Sequence, residues 1–449
     1  MKKLLAIYLA ICSTAFLCGS CFSDDNDNVE TYPFAALTSF SIGSFKVHKN
    51  SVTSEGKDTV LTSVVSGSLY PFIIDQKSHE VYNPDSLPMG ADVTKLTTGI
   101  SSDGLAYFYT DSTDTYETVS SADSIDFSKP RNLLVASTNG INIQSYTVRV
   151  NVSTIDPDKM YWQSIDKAPV ASPVRALFVD GKMMLFGKNG ENAPVVALYD
   201  GGNWSAETAL IPATLNIETI QNFAGCLYTN DESGVLYSSV DGANWSVVST
   251  NIALNSIVAA SGSDKLWAVT ATDSIAYSED ALNFVPVQAL DKNFPRNNIS
   301  VAVYPLRTNP FILRTLITGY ASQDALATPQ VWSVLSTEEK WSHYISGGDG
   351  TFACPALKPL AMVLYDGMLY AFGGSGKVAG NDVAAFNTIY ASNDNGLTWI
   401  ALAKVDLPAE IAGIHSPFAV AVDADNYLWI VIGGSEPSVW RGRINRLSF

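Results

Sequence analysis

Basic side chains are scarce in this sequence of 449 residues: Lys and Arg total 27 against 44 Asp and Glu, a formal net charge of −17. A chain of that sign repels phosphate backbones instead of releasing their counterions, so nucleic acid is not expected as a partner. Charge of either sign is sparse, at 16% of residues, beside 47% hydrophobic and 11% aromatic ones. That balance excludes prolonged disorder, and the length suits about two or three globular units. Histidine occurs four times and cysteine five. His343 and His415 have no second His, Cys or carboxylate pair beside them at ligand spacing, so neither a metal nor another cofactor is expected. Gly-x-Ser-x-Gly elbows, phosphate loops and dinucleotide fingerprints are missing too. The run Gly373-Gly374-Ser375-Gly376-Lys377 lies between two strand patterns, without the helix that would cradle a phosphate. Nor does any apolar run reach the about 20 residues that a spanning helix needs.

The nearest approach is residues 4–17, apolar and led by Lys2 and Lys3, which finish in Leu17-Cys18-Gly19-Ser20-Cys21. This pattern reads as a secretion signal. Its last residues resemble a bacterial lipobox, which implies a cysteine that is lipidated and becomes the new N-terminus. Cys21 suits that role better than Cys18, because small Gly19 and Ser20 precede it whereas Phe16 and Leu17 precede Cys18. The following Phe22-Ser23-Asp24-Asp25-Asn26-Asp27-Asn28 is similar to the acidic export signal of surface lipoproteins. The expectation is a signal peptide over 1–20, an acidic linker over 21–34, and an outer-membrane lipoprotein of a Gram-negative bacterium exposed at the cell surface. It would meet the membrane only through its acyl chains. Cys226 and Cys354 fall in different repeats and read as small apolar residues rather than a disulfide.

Residues 35–153 are rich in Ser, Thr and Val and carry alternating runs such as Ser39-Phe40-Ser41-Ile42, Val60-Leu61-Thr62-Ser63-Val64 and Tyr146-Thr147-Val148-Arg149-Val150-Asn151-Val152. Alternation buries one face of each strand, and turn clusters at Asn83-Pro84-Asp85 and Ser102-Asp103-Gly104 separate them, so a β-sandwich is expected. Ile74-Asp75, Pro88-Met89-Gly90-Ala91-Asp92-Val93, Asp126-Phe127-Ser128-Lys129-Pro130 and the closing Tyr146, Val148 and Val150 resemble bacterial Ig-like domains. That resemblance implies a spacer or adhesion-like module rather than an active site.

From residue 158 to 449 an internal repeat governs the pattern. Six segments show an apolar strand, a turn, a second apolar strand ending in small residues, a third strand, a polar turn, and an aromatic that opens a fourth. The aromatics are Trp162, Trp204, Trp245, Phe284, Trp341 and Trp399, spaced by 42, 41, 39, 57 and 58 residues. A four-stranded propeller blade takes about 40–50 residues, so the long gaps are longer loops. The last repeat lacks a fourth strand, while Met160-Tyr161-Trp162-Gln163-Ser164-Ile165 is a fourth strand with no repeat before it. Joining the two leaves no open edge. The fold class expected is therefore all-β: an N-terminal Ig-like β-sandwich followed by a six-bladed β-propeller whose last blade is closed by residues 160–165.

Ser392-Asn393-Asp394-Asn395-Gly396-Leu397-Thr398-Trp399 resembles the Asp-box, with Ser392, Asp394, Gly396, Thr398 and Trp399 at its fixed positions. Shortened versions occur at Ser239 to Trp245 and Asp200 to Trp204, and a degenerate one at Ser278 to Phe284. Tyr370-Ala371-Phe372-Gly373-Gly374 and Ile430-Val431-Ile432-Gly433-Gly434 resemble the kelch double glycine. Both patterns serve the turns and the crowded strands. Asp-boxes also recur in sialidases, whose site requires three arginines at the propeller centre. Arg175 stands in the first inner strand, but Arg175-Ala176-Leu177 lacks the Arg-Ile-Pro character, and Arg441, Arg443 and Arg446 crowd the final strand.

Any ligand is expected on the face where first strands begin and second strands lead to third ones. The longest such loops, residues 319–329 and 375–387, would form a ridge carrying Tyr320, Gln323, Asp324, Lys377, Asn381 and Asp382, with Arg175 and His415 beside it. No catalytic residue is assigned. The expected function is a non-catalytic binding platform for a glycan or a surface protein. A structural spacer or assembly subunit ranks second, and a sialidase-like glycoside hydrolase last.

Overall fold

The computed structural model describes residues 33–52, 58–110, 115–118, 120–324, 327–345, 350–402 and 405–448. The signal, Cys21 and most of the acidic linker lie outside the described residues. The chain divides into two compact units, Met1–Pro157 and Asp158–Phe449. Among the described residues both are built of strands, with 3-10 turns and no α-helix, and no helix is long and apolar enough to cross a membrane.

In the first unit, alternation translates into one buried face per strand. Leu37–Ile42 shows it, with Leu37, Phe40 and Ile42 buried and the residues between them exposed. This strand joins Leu96–Ser102 and Ser124–Ile125 in a three-stranded sheet. A second sheet runs in the order Ile73–Asp75, Glu80–Tyr82, Ile143–Arg149, Arg131–Ser137, Gly104–Thr110 and Thr115–Thr118. Side chains of both sheets share one core, including Leu37, Phe40, Leu96, Phe108, Leu133 and Val148. Tyr146 is fully buried there and its hydroxyl is satisfied, accepting from the Leu37 amide at 3.1 Å and donating to Gln76 Oε1 at 2.7 Å. Ile143–Arg149 pairs with Glu80–Tyr82 in parallel, whereas its other neighbour is antiparallel.

Among the described residues the second unit contains six antiparallel sheets. The first comprises Ser172–Val179, Lys182–Lys188, Pro194–Tyr199 and Thr208–Ala209. The second has Gln221–Phe223, Cys226–Asn230, Leu236–Ser239 and Ser246–Val248, and the third Leu254–Ser261, Lys265–Thr270, Ser274–Ser278 and Val285–Ala289. The fourth is Asn297–Leu306, Asn309–Tyr320, Gln330–Leu335 and Ser342–Tyr344. Ala356–Tyr365, Met368–Val378, Tyr390–Ser392 and Ile400–Ala401 form the fifth, with Asn381–Val383 attached to its second strand. The sixth is Phe418–Val422, Leu428–Ile432 and Ser438–Ile444, and its fourth strand is Met160–Ile165 from the start of the unit. That strand runs antiparallel to Ser438–Ile444, from Met160 opposite Ile444 to Ile165 opposite Val439.

Apolar clusters bind consecutive sheets. Phe186 and Met184 meet Leu227 and Trp245 between the first and second sheets. Leu236 and Leu254 do so between the second and third, Trp267 and Trp332 between the third and fourth, and Leu316 and Met362 between the fourth and fifth. Tyr370 and Ile430 link the fifth to the sixth, and Trp429 and Leu185 link the sixth back to the first. Of the repeated aromatics, Trp245, Phe284, Trp341 and Trp399 are buried, while Trp162 and Trp204 are half-buried.

The polar turns before those aromatics are closed by their own side chains. Asp394 Oδ1 accepts from Ser392 Oγ at 2.8 Å and from the Thr398 amide at 2.9 Å, and its Oδ2 accepts from Thr398 Oγ1 at 2.6 Å. The Gly396 amide donates to Ser392 Oγ, and Trp399 Nε1 donates to the Gly396 carbonyl. Ser239, Asp241, Asn244 and Trp245 repeat this pattern, and Asp280 with Ser278 and Asn283 repeats its carboxylate part. Hydrogen bonds from Asn244 lower the Asp241 carboxyl to about 2, and those from Asn283 lower Asp280 further. At Asp394 burial opposes the shift, but the bonds from Thr398 and Ser392 still leave it below its ordinary value. Crowding explains one of the paired glycines: at Gly373, φ is +139° and a Cβ would come 2.6 Å from both Phe418 Cζ and the Pro359 carbonyl.

Candidate functional site: a central cavity in the second unit

The first strands of the first, fourth, fifth and sixth sheets surround a cavity of about 830 Å³. Three of these strands carry an X-Pro step in their first half or just before it: Ser172-Pro173, Lys358-Pro359 within Ala356–Tyr365, and Ser416-Pro417 ahead of Phe418–Val422. A proline near the start of a strand gives up an amide the ladder does not need there. Along the strands the wall is apolar, with Ile299, Val301, Leu360, Met362, Ala419 and Ala421 among its residues.

Polar groups gather where these strands begin. The Asn216 side chain caps the 3-10 turn Ile217–Thr219, accepting from the Glu218 amide at 3.1 Å. The turn approaches the strands Ser172–Val179, Leu254–Ser261 and Asn297–Leu306, which places Glu218 at the cavity. Arg175 Nη1 donates to the Glu218 carbonyl at 3.4 Å, and Arg175 Nε is shut off from solvent with no partner. Burial pushes the Arg175 guanidinium down to about 10. Asn297 pairs with Tyr320 across the fourth sheet, and Gln323 Nε2 donates to Asn297 Oδ1 at 3.2 Å. Asn298 Oδ1 accepts from the Leu360 amide at 2.6 Å, tying the fourth sheet to the fifth. Lys358 Nζ donates to the Asp324 carbonyl and stands 4.8 Å from the Tyr320 ring centroid.

The residues singled out from sequence part company here. Arg175, Tyr320 and Gln323 line the cavity. Tyr320 is not on a loop: it ends the strand Asn309–Tyr320, is 3% exposed, and its hydroxyl donates to the Leu357 carbonyl at 2.5 Å. Burial pushes its pKa up. Its expected role as an exposed anchor is therefore corrected to that of a buried prop beneath Lys358. Asp324 meets Lys358 through its main-chain carbonyl. Lys377, Asn381 and Asp382 do not line the cavity. The segment read as a long loop continues the strand Met368–Val378, turns at Ala379 and Gly380, and returns as Asn381–Val383, with Lys377 and Asp382 paired at 2.7 Å in the open. His415 is exposed and also lies off the cavity wall. Ser392, Asp394, Gly396, Thr398 and Trp399 hold a turn, as the bonds above describe.

Sequence reasoning passed over Glu218, Asn297 and Lys358. The signal for Lys358 was present in the shared proline, since Lys358 precedes Pro359 as Ser172 precedes Pro173. Glu218 sits in a 3-10 turn and Asn297 opens a strand that has no such proline at its start. Among the described residues no group of three His, Cys, Asp or Glu is placed to hold a metal ion. Cys226 and Cys354 are free thiols, and burial pushes Cys354 up to about 12.

Sheets packed in succession around a central cavity define a β-propeller, and residues 156–449 match the family described as "DUF6242 beta propeller domain". Residues 40–150 match its companion, "Domain of unknown function (DUF6242) N-terminal domain". The chain belongs to this family. No protein with a curated description matches it. Similar solved structures include a mutant Aleuria aurantia lectin in complex with alpha-methyl-L-fucoside, at 11% identity and TM-score 0.35, covering 61% of this chain and 92% of the lectin. A thermostable family-43 glycoside hydrolase is 11% identical with TM-score 0.28, covering 61% and 88%. A PL25 ulvan lyase is 10% identical with TM-score 0.34, covering 64% and 85%.

Proposed function

We propose that this protein is a non-catalytic lipoprotein, anchored through Cys21 at the surface of a Gram-negative outer membrane, that binds a glycan at the polar mouth of its central cavity. In this reading the first unit is an Ig-like spacer. The second is a six-bladed propeller with Asp-box turns and kelch-like glycine pairs, and Met160–Ile165 completes its last blade.

The cavity carries the proposal. Its volume of about 830 Å³ suits a small oligosaccharide, its wall offers apolar surface to the C–H faces of a sugar, and its mouth offers Arg175, Asn297, Gln323 and Lys358 to the hydroxyls. A glycosidase of the usual kind sets two carboxyl groups about 5–9.5 Å apart. Glu218 is the single carboxylate lining this cavity among the described residues, which favours binding over hydrolysis.

A glycan array probed with the full chain tests the reading. Retention of a defined glycan set is expected, with the affinity falling about tenfold or more when Asn297→Ala and Gln323→Ala are combined. An array left bare, or binding indifferent to that double change, overturns it.

A further inference from the structure

We infer that the glycan bound here is acidic, and that Arg175 and Lys358 together receive its carboxylate. The inference rests on the glycan reading above and goes one step further, to the charge of the ligand.

The chain as a whole has 44 acidic and 27 basic residues, yet the cavity inverts the balance, with two cations and one carboxylate on its wall. Of the other cations, Arg149 pairs with Glu80, Lys377 with Asp382, and Arg446 with both Asp158 and Asp366, while Lys265, Arg307 and Arg443 donate to main-chain carbonyls. Arg175 and Lys358 are of the second kind, but they line the cavity. Each spends a donor on a main-chain carbonyl, Glu218 for Arg175 and Asp324 for Lys358, and neither has a carboxylate within ion-pair distance among the described residues. Carbonyls solvate a cation without neutralising it, and a half-buried guanidinium left in that condition is costly. The lowered pKa of Arg175 reflects the same cost.

An entering oxyanion removes the imbalance. With Nη1 turned to the Glu218 carbonyl, the edge of Arg175 formed by Nε and Nη2 has no protein partner. Two parallel N–H groups on one planar edge match the two oxygens of a carboxylate, and a small rotation of the side chain presents them to the cavity. Lys358, propped on the Tyr320 ring, adds a second positive charge to the wall of the same cavity. The apolar wall at Leu360 and Met362 then faces the sugar ring that bears the acid.

The test is an array of oligosaccharides containing glucuronic or galacturonic acid, printed beside their methyl esters and beside sulfated and neutral counterparts, followed by calorimetry on the best binder. The full chain is compared with Arg175→Met, Arg175→Lys, Lys358→Met and the Asn297→Ala/Gln323→Ala pair, each checked for an unchanged melting transition. Free acids should bind about tenfold or more tighter than their esters, with affinity falling as salt rises. Arg175→Met should lose about tenfold or more, Lys358→Met a smaller factor, and Arg175→Lys should recover part of the loss. Esters or neutral sugars bound as tightly as acids, or sulfated sugars preferred to carboxylated ones, overturn the inference. If such binding still depends on Asn297 and Gln323, the glycan reading stands without it. Failure of every sugar to bind overturns both.

Discussion

Trp162 lies flat against Gly442 on the facing strand, and a Cβ added to Gly442 would sit 2.6 Å from the indole Cδ2. The two residues belong to opposite ends of the second unit, so this contact is where its first strand is locked to its last. Gly442→Val should cost about 1–3 kcal/mol through overpacking. Combining it with Trp162→Ala should cost less than the sum of the two single changes, because the smaller side chain gives the valine room. Strict additivity in denaturant unfolding would show that the indole does not press on this glycine.

The same junction carries a charged clasp. Arg446 reaches Asp158, ahead of the strand Met160–Ile165, at 2.5 Å, and also holds Asp366 in the turn of the fifth sheet. Arg446→Met should lower stability by about 1–2 kcal/mol once solvent screening is allowed for, and less in high salt. A loss independent of salt would point to packing of the side chain instead.

Acid should unfasten the turns. Asp241, Asp280 and Asp394 have folded values below the unfolded one near 3.8. Their stabilisation is therefore fully present above that value and is lost as pH falls through it, toward about 2 for Asp241. Melting temperature should drop steeply below about pH 4. Asp241→Asn/Asp280→Asn should be less stable at pH 7 and show a shallower acid slope. Equal slopes for the two proteins would mean that other carboxylates govern acid unfolding.

Much of this architecture was legible in the sequence because it rests on period and on a missing part. The spacings of 42, 41 and 39 residues between aromatics expose the repeat, and Met160–Ile165 occupies the position that the repeat leaves empty at its far end. The ends of strands were harder to read. Tyr320 follows Ile317-Thr318-Gly319, where a glycine suggests that the strand is over, yet pairing to Asn297 carries the strand one residue further and buries the ring. At Lys377 the run of glycines suggests a loop, but glycines that lie against neighbouring backbone, such as Gly376 beside the Ala356 carbonyl, let the strand continue to Val378. The cavity itself was not legible. Its wall comes from four sheets, and the residues that meet there are scattered from Pro173 to Val422.

The open hairpin at Lys377 supplies a control. An exposed pair such as Lys377 with Asp382 contributes less than about 1 kcal/mol. Lys377→Ala should therefore leave both melting temperature and glycan affinity unchanged, whereas Tyr320→Phe should reduce stability by removing the bond to the Leu357 carbonyl. A large affinity loss from Lys377→Ala would return the binding face to that hairpin.

Where a ligand sits is decisive, and a crystal structure of the full chain soaked with the best-retained sugar measures that directly. Density for the sugar is expected in the central cavity, within hydrogen-bond distance of Arg175, Gln323 and Lys358. Density on the Lys377 hairpin or on the first unit, with the cavity empty, would contradict that placement.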